Sequence, residues 1–283
     1  MIRKHLPVVA ALAAMLWLPA FVRAETAAEA FANGKSLVTK GDFDGALTAY
    51  AAAVRGDRAN QAYVQHYALL RRVIQLRNSH DEEKDAARWE NLARALHSFY
   101  TGQKVYSEAL ALGKQIHTKL NSPWSAVTLA ETQLALSQND EAVKTLDGLG
   151  AGKRTAATQA LLGIALVRAG QIDRGKEVGK EIALPENADA QTTYAAARLY
   201  AALGESQKAI ETLAGCLASV PPGLQEGYRE HARTSPEFAK LASPVAFAKA
   251  LKTESKVPES KCSGGSSCAG CPMRGKCPSS QGQ

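Results

Sequence analysis

Small residues recur along the chain at a nearly constant spacing, and this repeat limits the possible folds more than any other feature. In the segment AFANGKSLVTKGDFDGALTAYAAAV, one helical pattern ends at residues 41–42 and a second follows at once. Ala46, Tyr50 and Ala53 are four and then three residues apart, so they share one face of the second helix. Matching small residues follow at intervals of 63, 33, 33 and 34 residues, at Ala109, Ala142, Gly175 and Ala209. A period near 34 residues predicts stacked helix pairs.

The first helix of each pair shows a matching pattern of small and aromatic residues. Small residues stand at Gly34, Ala130, Gly163 and Ala197, and aromatic residues stand near the helix end at Tyr100 and Tyr200. Small side chains let two antiparallel helices approach closely, while larger ones fill the flanks. The pattern resembles that of the tetratricopeptide-repeat (TPR) family over residues 26–220. The resemblance implies an all-α, right-handed α-solenoid of about five to six stacked antiparallel helix pairs.

The repeat is irregular at one place and ends before the chain does. Residues 59–86 leave room for either an irregular helical pair or a lengthened helix with a polar loop. After residue 220 we expect short capping helices over 221–252, which cover the apolar face of the last repeat. Ser235-Pro236 and Ser243-Pro244 each resemble a helix start with an N-cap serine and proline at the first position.

The N-terminal segment has the pattern of an export signal. Basic residues at positions 3–5 precede an apolar stretch that ends at Val22-Arg23-Ala24, which predicts a signal peptide over residues 1–24 and cleavage after Ala24. Pro7 and Pro19 interrupt the apolar stretch, which favours cleavage over a membrane anchor. We therefore expect a periplasmic or secreted protein with a repeat domain over 25–220 and no stable membrane insertion.

The last 31 residues, 253–283, are predicted to form a flexible Ser/Gly/Pro tail that carries four cysteines. The pattern Cys-x5-Cys-x2-Cys-x5-Cys leaves three uses open. An exported chain favours two disulfides, four thiolates could hold zinc or copper, and the central pair could be redox-active although no thioredoxin-like pattern surrounds it. These disulfide or metal candidates are Cys262, Cys268, Cys271 and Cys277.

The helical body contains no convergent set of catalytic residues. The acidic run over 81–85 is typical of a helix start, where the helix dipole favours acids, rather than of a cation site. The histidines lack metal-ligand spacing, Trp89 and Trp124 are interpreted as core anchors, and Cys216 as a buried apolar residue. Basic and acidic residues alternate along the helices, so we expect no nucleic-acid partner and no resident cofactor.

The TPR resemblance implies that the first helices line a concave groove that binds an extended peptide or a partner helix. One TPR subclass clamps a carboxylate with a lysine and an asparagine, but Phe31 and Lys35 occupy those positions here, so this specificity does not carry over. Helical facing predicts the groove residues Lys35, Tyr63, Arg71, Arg94 and Arg198. The sequence thus predicts a non-enzymatic exported scaffold, the alternative being a metal-binding or redox-handling protein acting through its tail.

Overall fold

The computed structural model describes residues 25–185 and 187–258, except for the side chain of Ala151. The predicted signal segment and the four tail cysteines lie outside these residues. The described chain is all-α, without any strand, which confirms the predicted fold class. Its thirteen helices are α1 Ala27–Thr39, α2 Phe43–Gly56, α3 Gln61–Glu82, α4 Ala86–Gly102, α5 Tyr106–Leu120, α6 Pro123–Ala135, α7 Asn139–Asp147, α8 Ala156–Arg168, α9 Ile172–Glu181, α10 Ala190–Ala202, α11 Ser206–Ser219, α12 Pro222–Thr234 and α13 Pro244–Ala250.

The chain divides into two compact units, Met1–Ile74 and Gln75–Gln283. In the described part of the first unit, α1 packs against α2. In the second unit, each of α4, α6, α8 and α10 packs against the helix that follows it. The first helices of successive pairs also meet, α6 against α8 and α8 against α10. The second unit is therefore a stack of helix pairs, as an α-solenoid requires.

The small residues of the repeat lie where helices cross. A Cβ on Gly34 would lie 2.5 Å from two ring carbons of Tyr50, and one on Gly163 would lie 2.6 Å from Cδ1 of Leu199. Close approach therefore depends on the missing side chain at both crossings. All thirteen residues predicted to pack the repeats are buried: Gly34, Ala46, Tyr50, Ala53, Tyr100, Ala109, Ala130, Ala142, Gly163, Gly175, Ala197, Tyr200 and Ala209.

One turn geometry joins the two helices of a pair. A residue with positive φ follows the first helix, and the next amide donates to the carbonyl five residues back, as Asp42 N does to Leu37 O at 3.0 Å. This bond satisfies a carbonyl that the helix end leaves without a partner. The positive-φ residue is glycine at 41, 170 and 204, but Lys104 and Ser137 take this position in the other two pairs.

The irregular region consists of a lengthened helix followed by a short polar loop. Helix α3 has 22 residues and ends at Glu82, and α4 begins at Ala86. Asp85 is the N-cap of α4, with its side chain accepting a hydrogen bond from Arg88 N at 2.8 Å. The acidic run therefore spans the end of one helix and the cap of the next.

The C-terminal cap differs from the sequence prediction at Ser235 and again at Thr253. Ser235 follows the end of α12, and only a 3-10 turn at Phe238–Lys240 forms where a helix was predicted. The Ser235 hydroxyl donates to the Glu237 carboxylate instead of capping a helix. The predicted tail boundary at Thr253 falls within a packed segment, because Lys256 N donates to Ala218 O at 2.8 Å.

Candidate functional site

The second unit contains an open groove of about 720 Å³. Its lining residues come mainly from α4, α6, α10 and α12, with Tyr106 from the start of α5. The first three are first helices of their pairs, the helices from which the sequence predicts a groove. We call this surface the aromatic groove, because its wall includes four aromatic side chains, Tyr106, Trp124, Tyr194 and Tyr228.

One wall of the aromatic groove is formed by α10 and α12. The Tyr194 hydroxyl and Nδ1 of His231 are 2.7 Å apart and form a hydrogen bond between the two helices. The ring of Tyr194 also meets that of Tyr228 edge to face, with centroids 5.1 Å apart. Burial raises the pKa of Tyr194 and lowers that of His231, so both groups remain neutral at pH 7. This wall therefore presents neutral hydrogen-bonding groups.

The opposite wall is formed by α4 and α6. The guanidinium carbon of Arg94 lies 3.3 Å from the ring centroid of Trp124, and Arg94 Nε donates to Glu90 Oε1 at 3.0 Å. Nε2 of His97 and Oγ1 of Thr132 are 3.0 Å apart. Burial lowers the pKa of His97 to about 4, so this imidazole is neutral over most of the accessible pH range.

A chain of four charged side chains leads from α8 to the groove, and two of its members, Arg198 and Glu131, line the groove. Arg168 on α8 contacts Glu237 at 2.5 Å, Glu237 contacts Arg198 on α10 at 3.4 Å, and NH1 of Arg198 donates to both Glu131 oxygens at 2.8 and 2.9 Å. Burial opposes ionisation of Glu237, but Arg198 and Arg168 outweigh that cost, so its pKa is lowered. The charges alternate in sign and sum to zero, which is how buried ionic groups are tolerated.

The structure brings two of the five predicted groove residues together, because Arg94 and Arg198 both line the aromatic groove. Only Arg94 is reachable from solvent to a substantial degree, since the side chain of Arg198 is 2% exposed. Lys35 and Tyr63 lie in the first unit, each against the ring of Phe31, at 4.6 Å in both cases. Arg71 is an exposed residue of α3 in that unit.

Several groove residues were missed at the sequence level although helical spacing could have revealed them. Trp124 and Glu131 are seven residues apart on α6, and Leu224 and His231 show the same spacing on α12. Trp124 was assigned to the core, but it is half-buried and lines the groove. Trp89 and Cys216 are buried as predicted.

Within the described residues, no group of three or more His, Cys, Asp or Glu side chains is placed to hold a metal ion. The same residues include no helix of the length and apolarity needed to cross a membrane. A comparison with models of protein families gives no match, and neither does a comparison with curated protein sequences.

Proposed function

We propose that the protein is a non-enzymatic, exported scaffold whose aromatic groove binds an extended peptide segment of a partner protein. The observation that carries this proposal is the accessible aromatic and aliphatic surface inside the groove. Leu224 on α12 is 63% exposed, and it lies in the same groove as Trp124 and Tyr228. Apolar surface inside a concave site is typical of binding sites rather than of ordinary protein surface.

The size and chemistry of the groove support a peptide ligand. Its volume of about 720 Å³ is within the range of small-ligand sites, and it is open to solvent. The hydroxyls of Ser98, Thr101 and Thr128 and the amide of Gln191 can pair with peptide groups. The TPR resemblance adds a known mode, in which first helices line a peptide-binding groove. The N-terminal signal pattern supports action outside the cytoplasm.

The proposal is tested by selecting a random peptide library on phage against the full-length protein. Bound peptides are then measured with Leu224→Asp, which puts a charge into the groove. We expect about tenfold weaker binding, because the aliphatic contact is replaced by a carboxylate that must be desolvated. Val245→Asp is the matched control, since Val245 is 82% exposed on α13 and does not line the groove. Equal loss in both variants, or no selected peptide, would contradict the proposal.

A further inference from the structure

The four-member ion chain ends at the groove in a carboxylate. Its inner members are shielded, with 2% of the side chain exposed for both Arg198 and Glu237. Glu131 is the terminal member, and 34% of its side chain is exposed. Along the chain from Arg168, whose side chain is 19% exposed, to Glu131, the charges are positive, negative, positive, negative. A chain that alternates in this way presents its last charge, the negative one, to whatever enters the groove.

The positive charges that line the groove are already engaged. Arg198 directs NH1 to Glu131 and NH2 to Glu237, and it is too deeply buried to reach a ligand. Arg94 directs Nε and Nη2 to Glu90, and its guanidinium carbon lies 3.3 Å from the ring centroid of Trp124. An anionic ligand would have to compete with carboxylates that these guanidinium groups already contact.

Glu131 retains unused hydrogen-bonding capacity. Both of its oxygens accept from a single nitrogen of Arg198, whereas a carboxylate can accept about four hydrogen bonds. The ring of Trp124, seven residues before Glu131 on α6, already contacts Arg94, which shows that an aromatic face in this groove accepts a cation.

We propose that Glu131 binds a lysine or arginine side chain of the peptide partner, so that the aromatic groove selects basic peptides. This inference rests on the proposed peptide-binding function and specifies its ligand. The incoming cation becomes the fifth member of the ion chain and takes the place of solvent beside Glu131. The aromatic and aliphatic side chains of the groove supply the contacts that do not depend on charge.

The test uses the peptides selected on the full-length protein. We expect them to be enriched in lysine and arginine. Replacing the basic residue by norleucine, which keeps the aliphatic stem and removes the charge, is expected to weaken binding about two- to fivefold, as for a partly exposed ion pair. High salt should reduce this difference.

The variant Glu131→Gln completes a double-mutant cycle with the norleucine peptide. This substitution removes the charge and keeps an oxygen that can accept a hydrogen bond from Arg198. In this variant the lysine and norleucine peptides are expected to bind equally, whereas Glu141→Gln on α7 should preserve the difference. Glu141 is an exposed residue that pairs with Lys144 and does not line the groove. If Glu131→Gln fails to fold, the norleucine and salt comparisons on the unaltered protein remain as the test. Equal binding of the lysine and norleucine peptides would then overturn the proposal.

The outcomes separate the two proposals. Selected peptides that show no basic preference, or that are acidic, would overturn the role of Glu131 and leave peptide binding intact. Failure to select any peptide would overturn both proposals. A lysine preference that survives in Glu131→Gln would assign the cation to another site and reject the inference.

Discussion

Gly163 illustrates how much a single missing side chain contributes at a helix crossing. It is buried in α8, and a Cβ at this position would lie 2.6 and 3.1 Å from the two methyl carbons of Leu199, which is itself fully buried. Close-packed interiors have little room to move such neighbours away. The glycine is therefore retained in the middle of a helix, where alanine would otherwise be the better residue.

The comparison of Gly163→Ala with Gly215→Ala tests this interpretation. Gly215 lies within α11 of the same unit, and an added Cβ there would meet nothing within 4 Å. We expect Gly215→Ala to raise the free energy of unfolding by about 1 kcal/mol, because alanine favours the helix. Gly163→Ala gains the same propensity but overpacks the core, so it should be about 1–3 kcal/mol less stable than Gly215→Ala. Equal urea midpoints for the two variants would refute the crossing role.

Residues of the repeat could be predicted well because their spacing reflects packing that recurs. Ala109, Ala142 and Ala209 have no exposed surface, and each was found from spacing alone. Glu237 could not be predicted in this way. Its partners Arg168 and Arg198 are 69 and 39 residues away in sequence, and no periodic pattern joins them.

Helices α4 and α6 are joined by His97 and Thr132, and this contact makes stability depend on pH. The pKa of His97 is about 4 in the folded protein because of burial, against about 6.5 in an unfolded chain. Between these values the unfolded state binds more protons, so stability is lost as the pH falls from about 6.5 towards 4. The folded protein therefore becomes less stable in mild acid, although His97 itself stays neutral there until the pH approaches 4.

We expect His97 to lower the free energy of unfolding by about 2 kcal/mol between pH 7 and pH 5. Urea unfolding at the two pH values measures this change, and His97→Asn should remove most of it. His117 and His231 also have lowered pKa values, and both are retained in the variant, so the difference isolates His97. An unchanged pH dependence in His97→Asn would contradict the assignment.

Helix ends were predicted less well than helices, for a local physical reason. Glycine at 41, 170 and 204 marks a positive φ, but Lys104 and Ser137 adopt the same conformation without such a signal. At Ser235-Pro236 the sequence favours a helix start, yet Ser235 donates to Glu237, which the two arginines hold in the interior. Tertiary electrostatics there outweigh the local capping preference.

At the scale of the whole molecule, the segment that follows α13 is part of the packed second unit. Thr253 O accepts hydrogen bonds from Gln225 at 3.3 Å and Arg229 at 3.0 Å, and Lys256 N donates to Ala218 O at 2.8 Å. These contacts join the segment to α11 and to α12, the helix that forms one wall of the groove. The sequence predicts a flexible tail from position 253 because apolar residues are few there, whereas the contacts of this segment are hydrogen bonds to main-chain atoms.

A chain that ends at Lys252 is therefore expected to be less stable than one that ends at Pro258. Removal of residues 253–258 takes away the Thr253 carbonyl as an acceptor for Gln225 and Arg229, which keep only Leu217 O and Leu251 O as main-chain acceptors. We expect a cost of about 1–2 kcal/mol after the regained chain entropy is subtracted. Thermal unfolding of the two truncated proteins measures the difference. Identical melting temperatures would show that the segment does not support α12.

The fold as a whole followed from the sequence, whereas the groove followed only in part. A repeat of helix pairs specifies which helices share a surface, and Arg94 and Arg198, on two such helices, both line the aromatic groove. The sequence did not show that Arg198 is occupied by two acids, because Glu131 and Glu237 come from different elements. The charge that a groove presents depends on such long-range pairing.

The bonds that hold residues 253–256 have an evolutionary consequence. All three engage main-chain atoms of this segment, two at Thr253 O and one at Lys256 N, so they do not depend on which side chains occupy those positions. Sequence can drift here while the attachment to α11 and α12 persists. Proline at position 256 is the exception, because it has no N–H to donate. We therefore expect the sequence of this segment to vary more among related proteins than its partners Gln225 and Arg229 do.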